Sequence, residues 1–153
     1  KIAILYGEIG DYAREERYYL EADKYSPRWK GPLFNLALSY RRQGRYAEAA
    51  SLLDQVMREE RSGPYLVLRA VVAEAMDDWE GKEVLLDEAL HLFAPVSSLS
   101  DWELHWYTTA VRMLGLQEEE QLARKESRKR MSHQGEDDPE GILPANDLHS
   151  ARM

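Results

Sequence analysis

Leu33, Leu36, Ala37 and Tyr40 stand at i, i+3, i+4 and i+7, and this spacing predicts one apolar face of an amphipathic helix over residues 30–43. Ala49, Leu52, Leu53 and Val56 repeat the pattern over residues 46–59. The connector Gln43-Gly44-Arg45 is short enough to force the two helices antiparallel, and Gly44 can take the left-handed conformation that closes a helix. The unit is a helical hairpin, and it recurs. Tyr6 to Tyr40, Gly10 to Gly44, Tyr12 to Tyr46 and Ala22 to Val56 are each 34 residues apart. Tyr46 to Trp79, Leu52 to Leu85, Leu53 to Leu86 and Val56 to Ala89 are each 33 apart, with Asp77-Asp78 in place of Gly44-Arg45 at the turn. A fourth, looser unit ends its first helix at Gly115. Ser26-Pro27 and Gly63-Pro64 separate hairpins, and Ser100 with Glu103 forms a candidate capping box.

In its spacing and residue types the array resembles the tetratricopeptide repeats. Residues 30–63 carry Leu33-x2-Leu36-Ala37-x2-Tyr40, then Gly44 and Tyr46 at the turn, then Ala49-x3-Leu53 and Val56. The preceding unit keeps Tyr6, Gly10, Tyr12, Tyr19, Ala22 and Pro27, but places Glu15 where a small residue is expected. The third departs further, with Glu74 in the tyrosine slot and Lys82 in the small-residue slot. The resemblance implies an all-α, right-handed superhelical array of antiparallel helix hairpins, an α-solenoid. It would comprise a partial repeat over residues 1–29, repeats over 30–63 and 64–96, and a degenerate repeat or cap over 97–131.

The two ends of such a stack differ. Residues 117–131 are mostly polar, with Glu118, Glu119 and Glu120 in the first turn and Arg128, Lys129 and Arg130 in the last, which suits a solvent-facing cap. Glu120 to Arg124 and Glu126 to Arg130 add i,i+4 pairs. Lys1 to Glu8 read as the second half of a first helix, so further sequence upstream, or a partner subunit giving a homo-oligomer, is expected to cover the apolar face there.

In a stack of this kind the first helix of each unit lines a concave surface, and the resemblance implies protein–protein interaction there. The side chains so placed are Phe34, Asn35, Leu38 and Arg41 from the second unit; Tyr65, Leu68, Arg69 and Val72 from the third; and Trp102, His105, Trp106, Thr109 and Arg112 from the fourth. An aromatic and basic set of this type suits a peptide that carries carboxylates between apolar anchors. The same residues are also what is needed to fill gaps between repeats and to solvate a face. Some tetratricopeptide proteins act as co-chaperones that clamp a C-terminal carboxylate with Lys and Asn side chains. Asn35 and Arg69 fit two of those slots, but Ile4 and Tyr65 stand where Asn and Lys are needed.

Composition narrows the chemistry. The 153 residues are 44% hydrophobic and 31% charged, the balance of a folded domain rather than of a disordered chain. Without cysteine there is no disulfide framework or thiolate site, and the compartment stays open, with a slight lean to the cytoplasm. No apolar run approaches the ~20 residues of a membrane helix, the best being Leu66 to Met76, which Arg69 and Glu74 interrupt. Gly7-x-x-Gly10 after an apolar run lacks the third glycine of a dinucleotide loop, and Gly81-Lys82 lacks the upstream glycine and the Ser or Thr of a phosphate loop. His91, His105, His133 and His149 have no metal-ligand spacing, and no catalytic constellation is present, so neither a cofactor nor a metal nor enzymatic activity is expected.

Charge is uneven. Every ionised side chain from Lys24 to Arg45 is basic, whereas Glu74 to Glu103 hold nine acids against Lys82. With a net charge of −8, nucleic acid is expected to be a poor partner; an electrically polar module that steers partners or stacks head to tail is the alternative to plain solvated faces. Residues 132–153 change composition to a flexible polar tail, acidic through His133 to Gly141 and ending in the apolar patch Ile142 to Leu148. That tail is itself a candidate ligand for the groove. The expectation is therefore a peptide-binding interaction module, the alternatives being a regulatory or recruiting domain of an enzyme encoded upstream and a self-assembly scaffold.

Overall fold

The computed structural model describes residues 10–137, with side chains through His133. Among these residues the chain is all-α, with no strand. The helices are α1 (Tyr12–Tyr25), α2 (Gly31–Arg42), α3 (Tyr46–Met57), α4 (Gly63–Ala75), α5 (Trp79–Leu92), α6 (Asp101–Met113) and α7 (Gln117–Asp137). A short 3₁₀ turn, Val96–Ser98, precedes α6. Consecutive helices pack in hairpins, α2 on α3, α4 on α5 and α6 on α7, while α1 lies against α2. The first helices of the hairpins also meet, since α4 packs on α6 and touches α2. The half-helix expected over Lys1 to Glu8 and the tail beyond Asp137 lie outside the described residues.

Each hairpin turn closes in the same way. Gly10, Gly44 and Gly115 have φ of 78°, 76° and 71°, and Asp77, at the turn where glycine is replaced, has φ of 60°. The following amide then reaches back five residues: Arg45 N–H donates to Tyr40 O at 2.8 Å, Asp78 to Ala73 at 2.9 Å and Leu116 to Val111 at 2.9 Å. A left-handed residue with this 6→1 bond satisfies the last helical carbonyls and reverses the chain. Several helix starts carry side-chain caps. Asp78 Oδ1 accepts from Gly81 N–H at 3.0 Å, so Gly81-Lys82 is the first turn of α5. Ser100 and Glu103 form the expected capping box at 3.1 and 3.2 Å.

The core runs through the middle of the stack. Leu36, Ala37, Leu53, Val56, Leu86 and Ala89, all on the apolar faces read from the periodicity, are buried, and so is Leu66. Each large side chain contributes about 1.5–3 kcal/mol of transfer free energy. Toward α1 the seam turns polar. Glu15 is fully buried and accepts from Arg42 at 2.6 Å; Tyr40 donates to Glu16 at 2.7 Å, with Arg45 also on Glu16 at 3.3 Å. Burial dominates over Arg42 and the Ser39 hydroxyl and raises the Glu15 pKa.

At the other end, among the described side chains of α7, Ala123 alone is fully buried, and the helix is fastened by Arg130, which donates to Asp101 at 3.0 Å, Glu126 at 3.0 Å and Val96 O at 3.3 Å. The Glu120–Arg124 pair forms at 2.7 Å. Helix continues to Asp137, past the 131/132 boundary expected from composition, because the first residue that forbids helix is Pro139.

Candidate functional site

The residues expected to line the inner face come from α2, α4 and α6, and the structure divides them into a closed half and an open half. Phe34 on α2 is the hub of the closed half. Its ring lies 5.5 Å from that of Tyr65 on α4 and 5.3 and 5.4 Å from Trp102 and Trp106 on α6, edge-on to both indoles. Phe34, Tyr65 and Trp106 are buried, as are Leu68 and Val72 beside them, and Trp102 is half-buried. Edge-to-face aromatic pairs are worth about 0.5–1.5 kcal/mol beyond their burial, so three inner helices this close fill the space with their own rings. Burial also pushes the Tyr65 pKa up to about 12.

Arg69, expected on the same face, pairs with Asp54 on α3 at 2.9 Å, which commits its charge. Asn35 is half-buried beside Phe34. The remaining residues are the open half. Leu38 and Thr109 are half-buried, the Thr109 hydroxyl bonding His105 O within α6 at 3.0 Å. Arg41 in the last turn of α2 and Arg112 in the last turn of α6 are exposed. Among the described residues neither guanidinium forms a hydrogen bond or ion pair, whereas Arg42, Arg45, Arg61, Arg69, Arg124 and Arg130 are all engaged.

His105 stands edge-on to Trp106 at 5.3 Å. Partial desolvation, followed by the charge of Arg112, holds its pKa below the ordinary histidine value, so it is neutral at pH 7. The open half therefore offers two uncommitted guanidiniums and a neutral imidazole beside half-buried apolar surface. Such groups can hold carboxylates; they include no nucleophile paired with a base.

Helix periodicity could place these residues on one face, but it carried no sign of the Asp54 contact, which is made across two hairpins. Among the described residues no group of three or more His, Cys, Asp or Glu could hold a metal ion, and no helix is long and apolar enough to cross a membrane. No protein-family model matches the chain, and no curated protein matches it.

Proposed function

We propose that the chain is a helical-repeat interaction module, a tetratricopeptide-like stack whose inner face binds an acidic, partly apolar segment of a protein partner. The observation that carries this reading is the pair of uncommitted arginines, Arg41 and Arg112, at matching last-turn positions of two inner helices. Arg42 and Arg69 are tied to carboxylates, whereas Arg41 lies one turn from half-buried Leu38 and Arg112 one turn from half-buried Thr109, both exposed, which favours a ligand that brings its own negative charge. The recurring left-handed turns support the stacked-hairpin arrangement. The acidic tail of this chain has the right composition to be one such ligand.

Selection from a random peptide library displayed on phage tests the reading. Peptides with Asp or Glu spaced among Leu, Ile or Phe are expected to be enriched, and the Arg41→Glu/Arg112→Glu variant is expected to enrich basic peptides instead. Recovery of the same peptides by both proteins would contradict it.

A further inference from the structure

The turn between α1 and α2 carries a surface that the inner face does not use. It reads Lys24-Tyr25-Ser26-Pro27-Arg28-Trp29-Lys30, with a cation beside each aromatic. Pro27 stands at the second position of a tight turn closed by Trp29 N–H, which donates to Ser26 O at 3.0 Å. Lys30 Nζ braces the turn, donating to Pro27 O at 2.8 Å and pairing with Glu59 at 2.5 Å. The Trp29 indole lies over Gly31, where a Cβ would stand 2.8 Å from its ring, so a side chain at position 31 would displace it. Trp29 is nonetheless 46% exposed and Tyr25 81% exposed, although rings of this size are usually well buried.

Helix α1 extends the pattern. Arg17 and Lys24 are seven residues apart, as are Tyr18 and Tyr25, so they form two neighbouring rows on the solvent side, one basic and one aromatic. Among the described residues Arg17, Lys24 and Arg28 have no ion-pair partner, whereas Lys30 and Arg42 are matched. Two acids border the strip: Glu21 between the rows, and Glu60 in the hollow that Arg28 and Lys30 line. The excess of acid in the chain as a whole lies elsewhere, from Glu74 to Glu103 and in the tail. Exposed charges more than about 10 Å apart are largely screened at 0.1 M salt, so the local sign governs a contact made here.

We propose that this strip holds single-stranded nucleic acid, its bases stacking on Tyr18, Tyr25 and Trp29 and its phosphates meeting Arg17, Lys24 and Arg28. Exposed rings accept the face of any base, and a free cation beside each ring matches the phosphate that accompanies each base. A duplex hides the faces of its bases in its own stack and offers the phosphates alone. A bilayer calls for a broad apolar face to enter it, whereas these rings stand singly among charges. The inference uses no residue of the inner face and is independent of that reading. With two acids at its border the contact is weak, and a dissociation constant on the order of 100 μM at low salt is expected.

Fluorescence anisotropy of a labelled oligothymidylate of about eight nucleotides, titrated with the whole chain in about 50 mM salt, provides the test. Saturable binding is expected, weakening about tenfold on going to about 200 mM salt, as release of two or three counterions requires. Tyr25→Ala/Trp29→Ala and Lys24→Glu/Arg28→Glu are each expected to weaken binding at least about tenfold, and Glu21→Gln to tighten it. Arg41→Glu/Arg112→Glu is expected to leave it unchanged. Circular dichroism establishes that the variants fold. Absence of saturation up to ~1 mM, binding that survives loss of both rings, binding lost through the Arg41 and Arg112 reversal, or equal affinity for a duplex of the same length would each overturn the inference. Attachment to phosphatidylglycerol vesicles without binding to the oligonucleotide would overturn it as well, and assign the strip to a membrane surface.

Discussion

Glu74 on α4 and Lys82 on α5 form a 2.9 Å ion pair at the positions that Tyr40 and Ala49 occupy in the preceding hairpin. Two departures from the repeat pattern thus compensate each other within one hairpin. The Lys82 side chain is only 15% exposed, while Glu74 is 45% exposed, so solvent screens the pair and its net worth is small. Lys82→Ala alone is expected to cost up to about 1 kcal/mol in urea denaturation. Glu74→Tyr together with Lys82→Ala, which writes the second hairpin's pair into the third, is expected to recover that loss, giving a coupling of about 0.5–1 kcal/mol in the double-mutant cycle. Additive effects would show that the two positions do not communicate.

Asp77 holds a left-handed turn that glycine holds at Gly10, Gly44 and Gly115. A side chain at this φ costs about 1–2 kcal/mol, eased for Asp, and glycine relieves it at the expense of a more flexible unfolded chain. Asp77→Gly is expected to stabilise by about 0.5–1 kcal/mol, a rise of a few degrees in Tm. Gly44→Ala is expected to destabilise by about 1–2 kcal/mol. Thermal melts of both variants check the pair of signs.

Glu15 makes stability depend on pH in an unusual direction for an acid. Its folded pKa is raised above the ordinary 4.5, first by burial and against the opposing charge of Arg42. Between 4.5 and that raised value the folded chain holds a proton that the unfolded chain has released. This group's contribution therefore becomes more favourable as pH falls through that window, and the cost of burying the charge is full above it. Glu15→Gln is expected to melt higher than wild type at pH 7, with the gap closing as pH approaches 4.5. A variant that melts lower at pH 7 would show that the Arg42 pair outweighs burial.

His105 reports on the open half of the inner face. Partial desolvation and Arg112 depress its pKa, and a carboxylate bound at Arg112 would cancel part of that charge. Its pKa, followed by NMR, is expected to rise when an acidic peptide is added and to stay put when a neutral one is.

The hairpins were legible because each is a local event. Leu33 to Tyr40 and Ala49 to Val56 show their faces within one helix, and Gly44 marks its turn. Even the glycine-free turn at Asp77 followed from its alignment with Gly44. Contacts between distant helices were not legible. Phe34 meets Trp102 and Trp106 from two hairpins away, and no periodicity says how closely α2 and α6 approach, so an expected open groove is half closed by its own aromatics. Arg69 was read by helical position alone, whereas Asp54 on α3 decides where it points. Glu15 broke the repeat pattern, but the break did not reveal that Arg42 would meet it.

Reception of an acidic, partly apolar segment by Arg41 and Arg112 is open to direct test. Its most direct measurement is fluorescence anisotropy of a labelled peptide covering residues 132–153, titrated with a chain that ends at Asp137 and so keeps α7 whole. Saturable binding tighter than ~100 μM, weakened at least about tenfold by Arg41→Glu/Arg112→Glu with an unchanged melting temperature, is the predicted result. Binding indifferent to the double reversal would contradict it, and absence of saturation up to ~1 mM would remove the tail from the segments received.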